Sequence, residues 1–305
     1  MASEPDGSEE VVRGMFGPDV TFLGVPRAEL GALAGLDIVF LGAPYDSGTS
    51  HRPGARFGPQ AIRMTDYLPH DASRPHLALG VDPLAELRCA DIGDVMMPPV
   101  DTDASLRRLE GVVQAVADAG AIPVILGGDH TVTFPDATGV ARHVGWGRLS
   151  LIHFDAHADT GDTQFGSLVG HGTPMRRLIE SGAVRGDRFL QIGLRGYWPE
   201  PPTLAWMAGQ RMRSYEMTEM VTRGLDACLT EAFGIATSDC DGVFLSVDVD
   251  VVEVSPPFDH AEITAFLASR VVLEVLSGIA WRRRRLAGQP VRQPADPLLA
   301  GRPPD

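Results

Sequence analysis

The stretch LSLIHFDAHAD, residues 149–159, joins a short apolar run to two acids and a histidine. An almost continuous apolar run of this length is typical of a strand in a parallel sheet that is covered on both faces. Because alternate residues of a strand share a face, Asp155 and His157 are expected to point in the same direction. The stretch therefore predicts a buried strand whose end carries polar side chains.

Similar apolar runs recur along the chain and alternate with segments of helical pattern. The other predicted strands cover 36–42, 122–128, 188–194 and 242–250. The predicted helices cover 103–119, 174–182, 216–233 and 260–281. This alternation predicts a single-domain, three-layer α/β fold with a mainly parallel sheet over residues 35–282. Residues 1–34 are predicted to be irregular, and the Pro- and Gly-rich residues 283–305 to form a disordered tail.

Composition restricts the class of protein. The 305 residues are 44% hydrophobic with a net charge of −14, which argues against a nucleic-acid partner because phosphate binding needs a basic surface. No uninterrupted apolar run is long enough for a membrane span, and the acidic N-terminus lacks a secretory pattern. The three cysteines have no CxxC spacing and predict free thiols. We expect a cytoplasmic protein that binds neither membrane nor nucleic acid.

The residues that close three of the apolar runs carry the chemistry. GGDH (127–130) follows one run, DAHAD (155–159) the second, and the DVD of 248–250 ends the third. In open α/β sheets, ligands bind at the carboxyl ends of the strands. The side chains expected to share one cleft are His130, Asp155, His157, Asp159, Asp248 and Asp250.

Four carboxylates in one cleft would repel one another and remain partly protonated. Two divalent cations would remove that repulsion, with carboxylates bridging the ions. A ligand set rich in oxygen and without thiolate favours Mn²⁺, and Zn²⁺, Co²⁺ or Ni²⁺ remain possible by affinity. Such a pair of ions is suited to hydrolysis.

Each motif also has a purely structural explanation. GGDH is often a turn with a capping aspartate, and Asp248 and Asp250 alone would suit a solvent-facing edge strand. His171, in HGTP (171–174), would suit the entry to a helix. The occurrence of the motifs at successive strand ends favours the dinuclear site.

GGDH, DAHAD, HGTP and SVDVD together resemble the signature set of the ureohydrolases, the family of arginase and agmatinase. GAPYDSGTSHRPGARFGPQAIR (42–63), RFLQIGLRGYW (188–198) and the segment 253–281 are similar to the agmatinase branch. The resemblance covers residues 35–282 and implies an arginase-like fold. It also implies a homo-oligomer, either a trimer or a hexamer.

The resemblance implies a role for each site residue. One Mn²⁺ would be held by His130, Asp155, Asp159 and Asp248, and the other by Asp155, His157, Asp248 and Asp250. Asp159 would also accept a hydrogen bond from the attacking hydroxide. His171 would carry protons to the leaving amine, and Glu253 would pair with the substrate guanidinium.

The family hydrolyses guanidino compounds to urea and an amine. The positions at which arginase holds the α-amino acid end of arginine are similar to Gly161 and Gly196, which offer no side chain. The resemblance therefore implies agmatine as the first substrate, with guanidinobutyrate and guanidinopropionate next.

One part of the pattern departs from the family. There, a loop, a helix and a strand separate the DxD strand from the segment similar to VEVSPP, whereas here SVDVDV runs directly into VEVSPP. A βα unit of roughly 30 residues or more is predicted to be deleted. Asp248 and Asp250 share a strand face, but Glu253 would project from the opposite one.

Three hypotheses follow. The first is an active agmatinase-type hydrolase that tolerates the shortening. The second is a non-catalytic metal-binding homologue, which is a partner subunit or a decayed enzyme. The third is a hydrolase of another C–N bond, such as a formimino or amide group, and urea as the product would exclude it.

Overall fold

The structure is a computed structural model that describes residues 11–12, 15–65, 75–197, 199–248, 255–259 and 263–292. The described residues form eight strands and nine α-helices. The strands are β1 (Val11–Val12), β2 (Ile38–Gly42), β3 (Cys89–Val95), β4 (Ile122–Leu126), β5 (Leu149–Phe154), β6 (Val184–Leu194), β7 (Arg213–Glu216) and β8 (Gly242–Val247). The helices are α1 (Gly58–Met64), α2 (Pro83–Glu86), α3 (Thr102–Asp118), α4 (Thr133–Val144), α5 (Pro174–Ser181), α6 (Pro201–Gly209), α7 (Met217–Arg223), α8 (Leu225–Ala236) and α9 (Ile263–Leu286).

The strands form two sheets in place of the single sheet expected. One has the order β1-β3-β2-β4 and the other the order β7-β6-β5-β8. All pairings are parallel except that of β1 with β3. The predicted α/β class with mainly parallel strands is therefore confirmed, and the strands are divided between two sheets.

Helices cover both faces of the strands, which gives the three layers predicted. On β2, Ile38 and Phe40 pack in a core that includes residues of α1 and α9. The intervening Val39 and Leu41 pack in a second core with residues of α3. Alternate residues of one strand thus enter opposite cores, as a strand covered on both sides requires.

A cavity separates the two sheets. Within the described ranges, β4 is the last strand of one sheet and β8 the last strand of the other. Between them lies a cavity of about 610 Å³, lined by both strands and by residues of α4 and α9. We call this cavity the seam. The predicted deletion of a βα unit stays a prediction, and the seam lies beside the strand after which the deletion is expected.

Several strands and helices of the structure are not predicted by the apolar patterns of the sequence. β3, with the sequence CADIGDV, contains two aspartates, yet all of its residues are buried. Its acids surround the buried Arg63, whose Nε donates to Asp91 Oδ2 at 2.8 Å and whose Nη1 donates to Asp94. The two aspartates make the strand look polar in the sequence. Their partner Arg63 is far away in the chain, so the local pattern gives no sign that they are buried. The strands β1 and β7 and the helices α1, α2, α4 and α6 were likewise not predicted.

Two helix boundaries differ from the prediction. The helix expected over 216–233 is divided into α7 and α8 at Gly224, whose φ of 89° is incompatible with a helix. Helix α9 ends at Leu286, so the first four residues of the predicted tail, 283–286, are helical and not disordered. Beyond the helix, the carbonyl of Arg292 accepts a hydrogen bond from Trp281 Nε1 at 2.6 Å.

Helix α9 is also long and apolar enough to cross a membrane by length and composition. One such helix is weak evidence for a span, because core helices of soluble proteins pass the same test. Four of its residues, Ala265, Ala268, Leu276 and Ala280, are buried in the core with α1 and β2.

Candidate metal centre

GGDH folds as a tight turn after β4. A side chain at Gly128 would lie 1.9 Å from the carbonyl oxygen of Tyr45, so only glycine fits there. Asp129 is fully buried and accepts hydrogen bonds from the backbone of Thr131 at 2.9 Å and of Gly48 at 2.8 Å. The capping role considered for the aspartate is confirmed, and it places His130 at the end of β4.

Three carboxylates face the imidazole of His130. Its Nδ1 lies 2.7 Å from Asp159 Oδ2, 3.2 Å from Asp155 Oδ2 and 3.6 Å from Asp248 Oδ2. These residues follow β4, β5 and β8, so the strand ends converge as the sequence predicts. Their side chains are at most 12% exposed, which makes the cluster nearly buried.

Asp155 lies between His130 and His157. Its Oδ2 faces His130, whereas its Oδ1 lies 3.4 Å from Nδ1 of His157. The His157 side chain is 59% exposed and lies on the solvent side of the buried acid. One carboxylate oxygen on each side is the arrangement that a bridging ligand needs.

The cluster shifts the pKa values of Asp155 and His130. Burial alone would raise the pKa of Asp155, but hydrogen bonds from His130, His153 and His157 hold it well below its usual value. Burial alone would lower the pKa of His130, yet the Asp155 and Asp159 carboxylates raise it well above its usual value. The site therefore favours negative charge on Asp155 and positive charge on His130.

Asp159 reaches the cluster through an unusual backbone conformation. Its φ of 50° lies in the left-handed region, which aspartate tolerates better than bulkier residues. The carbonyl of Asp159 accepts a hydrogen bond from the backbone N–H of Met175 at 3.1 Å, near the start of α5. This turn brings the side chain back over β5.

His171 lies on the loop before α5. Its Nε2 is 2.9 Å from Ser50 Oγ, and its backbone N–H donates to the carbonyl of Gly48 at 3.1 Å. Because Gly48 is itself bound by Asp129, the loop 47–50 links His171 to the GGDH turn. Asp250 and Glu253, the remaining predicted site residues, lie outside the described residues.

Sequence reasoning missed the contribution of His153. Its side chain is fully buried, and its Nε2 lies 2.9 Å from Asp155 Oδ2. The ligand atoms of His130, His153, Asp155 and Asp159 all lie within 4.8 Å of one another. The available signal was a polar residue inside an otherwise apolar strand, which recurs at Gln191 of β6 and Ser246 of β8.

The donor set fits a divalent cation. Packed carboxylates around an imidazole, mostly shielded from water, are stable only with a compensating positive charge. Carboxylate and imidazole ligands without thiolate suit first-row divalent metals. The described cluster is thus a candidate metal site by its donor chemistry, at the carboxyl ends of the strands of an α/β fold.

Comparison with known proteins agrees with this class. The model of the Arginase family matches residues 36–252. Guanidinopropionase from Pseudomonas aeruginosa is 35% identical over 295 residues, which cover 83% of this chain and 90% of that protein. Mitochondrial agmatinase from Gallus gallus is 34% identical over 281 residues, covering 79% of this chain and 81% of that one.

A solved structure supports the same assignment. Proclavaminate amidino hydrolase from Streptomyces clavuligerus matches with a TM-score of 0.77 and 29% identity, covering 86% of this chain and 97% of that chain. The chain therefore belongs to the Arginase family.

Proposed function

We propose that this protein is a ureohydrolase that hydrolyses a small linear guanidino compound, agmatine first, to urea and an amine. The observation that carries the proposal is the convergence of His130, Asp155, Asp159 and Asp248 at neighbouring strand ends. Relatives named guanidinopropionase, agmatinase and guanidinobutyrase support a guanidino substrate. The enzyme is proposed to be a cytoplasmic homo-oligomer, a trimer or a hexamer.

The described residues would hold two Mn²⁺ ions on either side of Asp155. His130 and Asp159 would bind on the Oδ2 side and His157 on the Oδ1 side, with Asp248 shared. Asp250 is proposed to complete the second group. When bound, the ions supply a nucleophilic hydroxide near neutral pH and polarise the guanidino carbon.

Two further residues would act on the substrate. His171 would deliver a proton to the leaving amine, and its contact with Ser50 Oγ orients the imidazole ring. Glu253 is proposed to pair with the planar guanidinium.

Two glycines support a substrate without an α-amino acid group. A side chain at Gly161 would lie 2.9 Å from the carbonyl oxygen of Gly172, and Gly196 has a φ of 88°. Neither position accommodates the polar side chain that would bind an α-amino or α-carboxyl group. Agmatine lacks the carboxylate of arginine, and guanidinobutyrate and guanidinopropionate lack its α-amino group, so all three fit this requirement.

A second candidate is a non-catalytic metal-binding homologue. The seam favours it, because two strand edges that have no strand partner among the described residues lie beside the site. Metal binding needs only the side chains at the strand ends, whereas catalysis also needs a rigid substrate pocket.

Urea release tests the proposal. Purified protein loaded with Mn²⁺ is incubated with agmatine, guanidinobutyrate, guanidinopropionate and arginine, while bound metal is quantified by mass spectrometry. We expect urea from agmatine at the highest rate and none from arginine. Bound Mn²⁺ without urea from any compound would establish the second candidate, and product without urea would establish hydrolysis of another C–N bond.

A further inference from the structure

A row of polar side chains crosses the second sheet directly beneath the metal ligands. In the register of the parallel strands, Ser214 of β7 pairs with Gln191 of β6, Gln191 with His153 of β5, and His153 with Ser246 of β8. We call these four residues the polar row. His153, Gln191 and Ser246 are at most 6% exposed, although neighbouring positions of their strands are mainly apolar. Buried polar groups in a core cost free energy unless their partners are well placed.

One end of the row holds His130. Ser246 Oγ lies 2.9 Å from Nε2 of His130, on the opposite side of the ring from the carboxylates. A neutral imidazole carries its proton on one nitrogen only. If Nε2 donates that proton to Ser246, the lone pair of Nδ1 is directed at the acids and at any cation between them.

The middle of the row holds Asp155. A carboxylate accepts only, so Nε2 of His153 carries the proton in its 2.9 Å hydrogen bond to Asp155 Oδ2. The opposite nitrogen of His153 then accepts from Nε2 of Gln191 at 3.4 Å.

Gln191 is fixed in turn by two further contacts. Its Nε2 donates to the carbonyl of Ala158 at 2.6 Å, and its Oε1 accepts from Ser214 Oγ at 3.0 Å. These contacts leave one orientation of the amide and therefore one tautomer of His153. The contact with Ala158 also ties the row to the DAHAD turn.

We propose that the polar row is a positioning layer, which sets the tautomer of His130 and the orientation of Asp155 so that both ligands are preorganised for metal. Ligands held by an outer hydrogen-bond partner typically lose about 10- to 100-fold in metal affinity when that partner is removed. The inference rests on the proposed metal site but not on catalysis.

The test compares two serine-to-alanine variants in the same sheet. Ser246→Ala removes the partner of His130, and Ser150→Ala is the control, because Ser150 on β5 is fully buried and its Oγ has no partner among the described residues. Mn²⁺ dissociation constants are measured by electron paramagnetic resonance titration. We expect affinity to fall about 10- to 100-fold in Ser246→Ala and to be unchanged in Ser150→Ala. Ser246→Thr, which keeps the hydroxyl group, should restore most of the affinity.

A second arm tests the middle of the row. Gln191→Leu should weaken Mn²⁺ binding by a similar factor, because His153 loses the donor that selects its tautomer. Thermal unfolding of the metal-free variants serves as the control for general damage. Equal Mn²⁺ affinity in wild type, Ser246→Ala and Gln191→Leu would overturn the proposal. A loss of Mn²⁺ affinity that is proportional to the loss in melting temperature of the metal-free variant would also overturn it.

A readout on metal-free protein separates this inference from the proposed function. Exchange of the His130 Nε2 proton with solvent is measured by nitrogen-15 nuclear magnetic resonance on histidine-labelled protein. We expect slow exchange in wild type and Ser150→Ala, and faster exchange in Ser246→Ala. If wild type binds Mn²⁺ and shows this pattern but releases no urea, the proposed function fails and the polar row stands. Fast exchange in wild type would refute the row even if the protein is an active ureohydrolase.

Discussion

The strands β4 and β8 are linked by side-chain contacts at their carboxyl ends but are separated by a cavity along the rest of their length. At their carboxyl ends they are joined by polar contacts, since His130 lies 2.9 Å from Ser246 Oγ and 3.6 Å from Asp248 Oδ2. Below these contacts the strands are separated by the seam. There Val243 and Leu245 of β8 remain 43% and 38% exposed, although Leu41 of β2 is fully buried.

Among the described residues, the site is therefore built across two sheets and not on one continuous sheet. The proposed ligands lie at the end of β4 in one sheet and at the ends of β5 and β8 in the other. The polar row is proposed to position His130 and Asp155 from within the second sheet. The seam, in contrast, leaves apolar surface and two strand edges without a strand partner in the described parts of the chain. Metal affinity and fold stability are therefore expected to respond to different substitutions.

The largest effect is expected at the site. Asp155→Asn removes the charge of the carboxylate that faces both His130 and His157 and should lower Mn²⁺ affinity by more than about 100-fold, beyond the usual loss for an outer partner. Urea release should fall with it. Metal content after gel filtration and urea formation measure both.

Asp226→Asn is the matched control for this substitution, since Asp226 is an exposed acid of α8. It should leave metal content and urea release at the wild-type level. Retention of Mn²⁺ by Asp155→Asn would contradict the placement of the metal beside Asp155.

The site was easier to predict from sequence than the fold around it. β2, β4 and β5 are short apolar runs, so local pattern indicates them, and their ends carry GGDH and DAHAD. β3 was missed because Asp91 becomes compatible with a core only through Arg63, a contact across 28 positions. The division into two sheets was not predicted either, because strand order is set by contacts between distant segments.

A pair of leucines tests the contrast in packing. Leu41→Ala in β2 should destabilise the protein by about 2–5 kcal/mol, the usual range for a fully buried leucine. Leu245→Ala at the seam should cost less than about 1 kcal/mol, because its side chain already contacts open space. Urea unfolding followed by circular dichroism measures both.

Leu151→Ala provides the control within the second sheet, since Leu151 of β5 is fully buried and its strand adjoins β8. It should behave like Leu41→Ala. If Leu245→Ala is as damaging as the other two, the side chain of Leu245 is buried in solution and the seam is closed.

An effect smaller than that of the fully buried leucines is expected from Asp136, an acid that lines the seam. Asp136 of α4 is 3% exposed, and its Oδ1 has no hydrogen-bond partner among the described residues. Burial raises the pKa of Asp136 well above its ordinary value, and the nearby His130 opposes this only in part. The folded protein therefore holds a proton here that the unfolded chain releases above about pH 4.

The sign of the pH dependence follows from this difference in bound protons. Below about pH 4 both states are protonated and the carboxyl group costs little, whereas stability is lost as pH rises towards the folded pKa of Asp136. Asp136→Asn binds no proton in either state, so it should stabilise the metal-free protein by about 1 kcal/mol at pH 7, partly offset by its own unpaired amide. The gain should vanish at pH 4 in urea unfolding. A gain of equal size at both pH values would show that packing, and not the charge of Asp136, determines the effect.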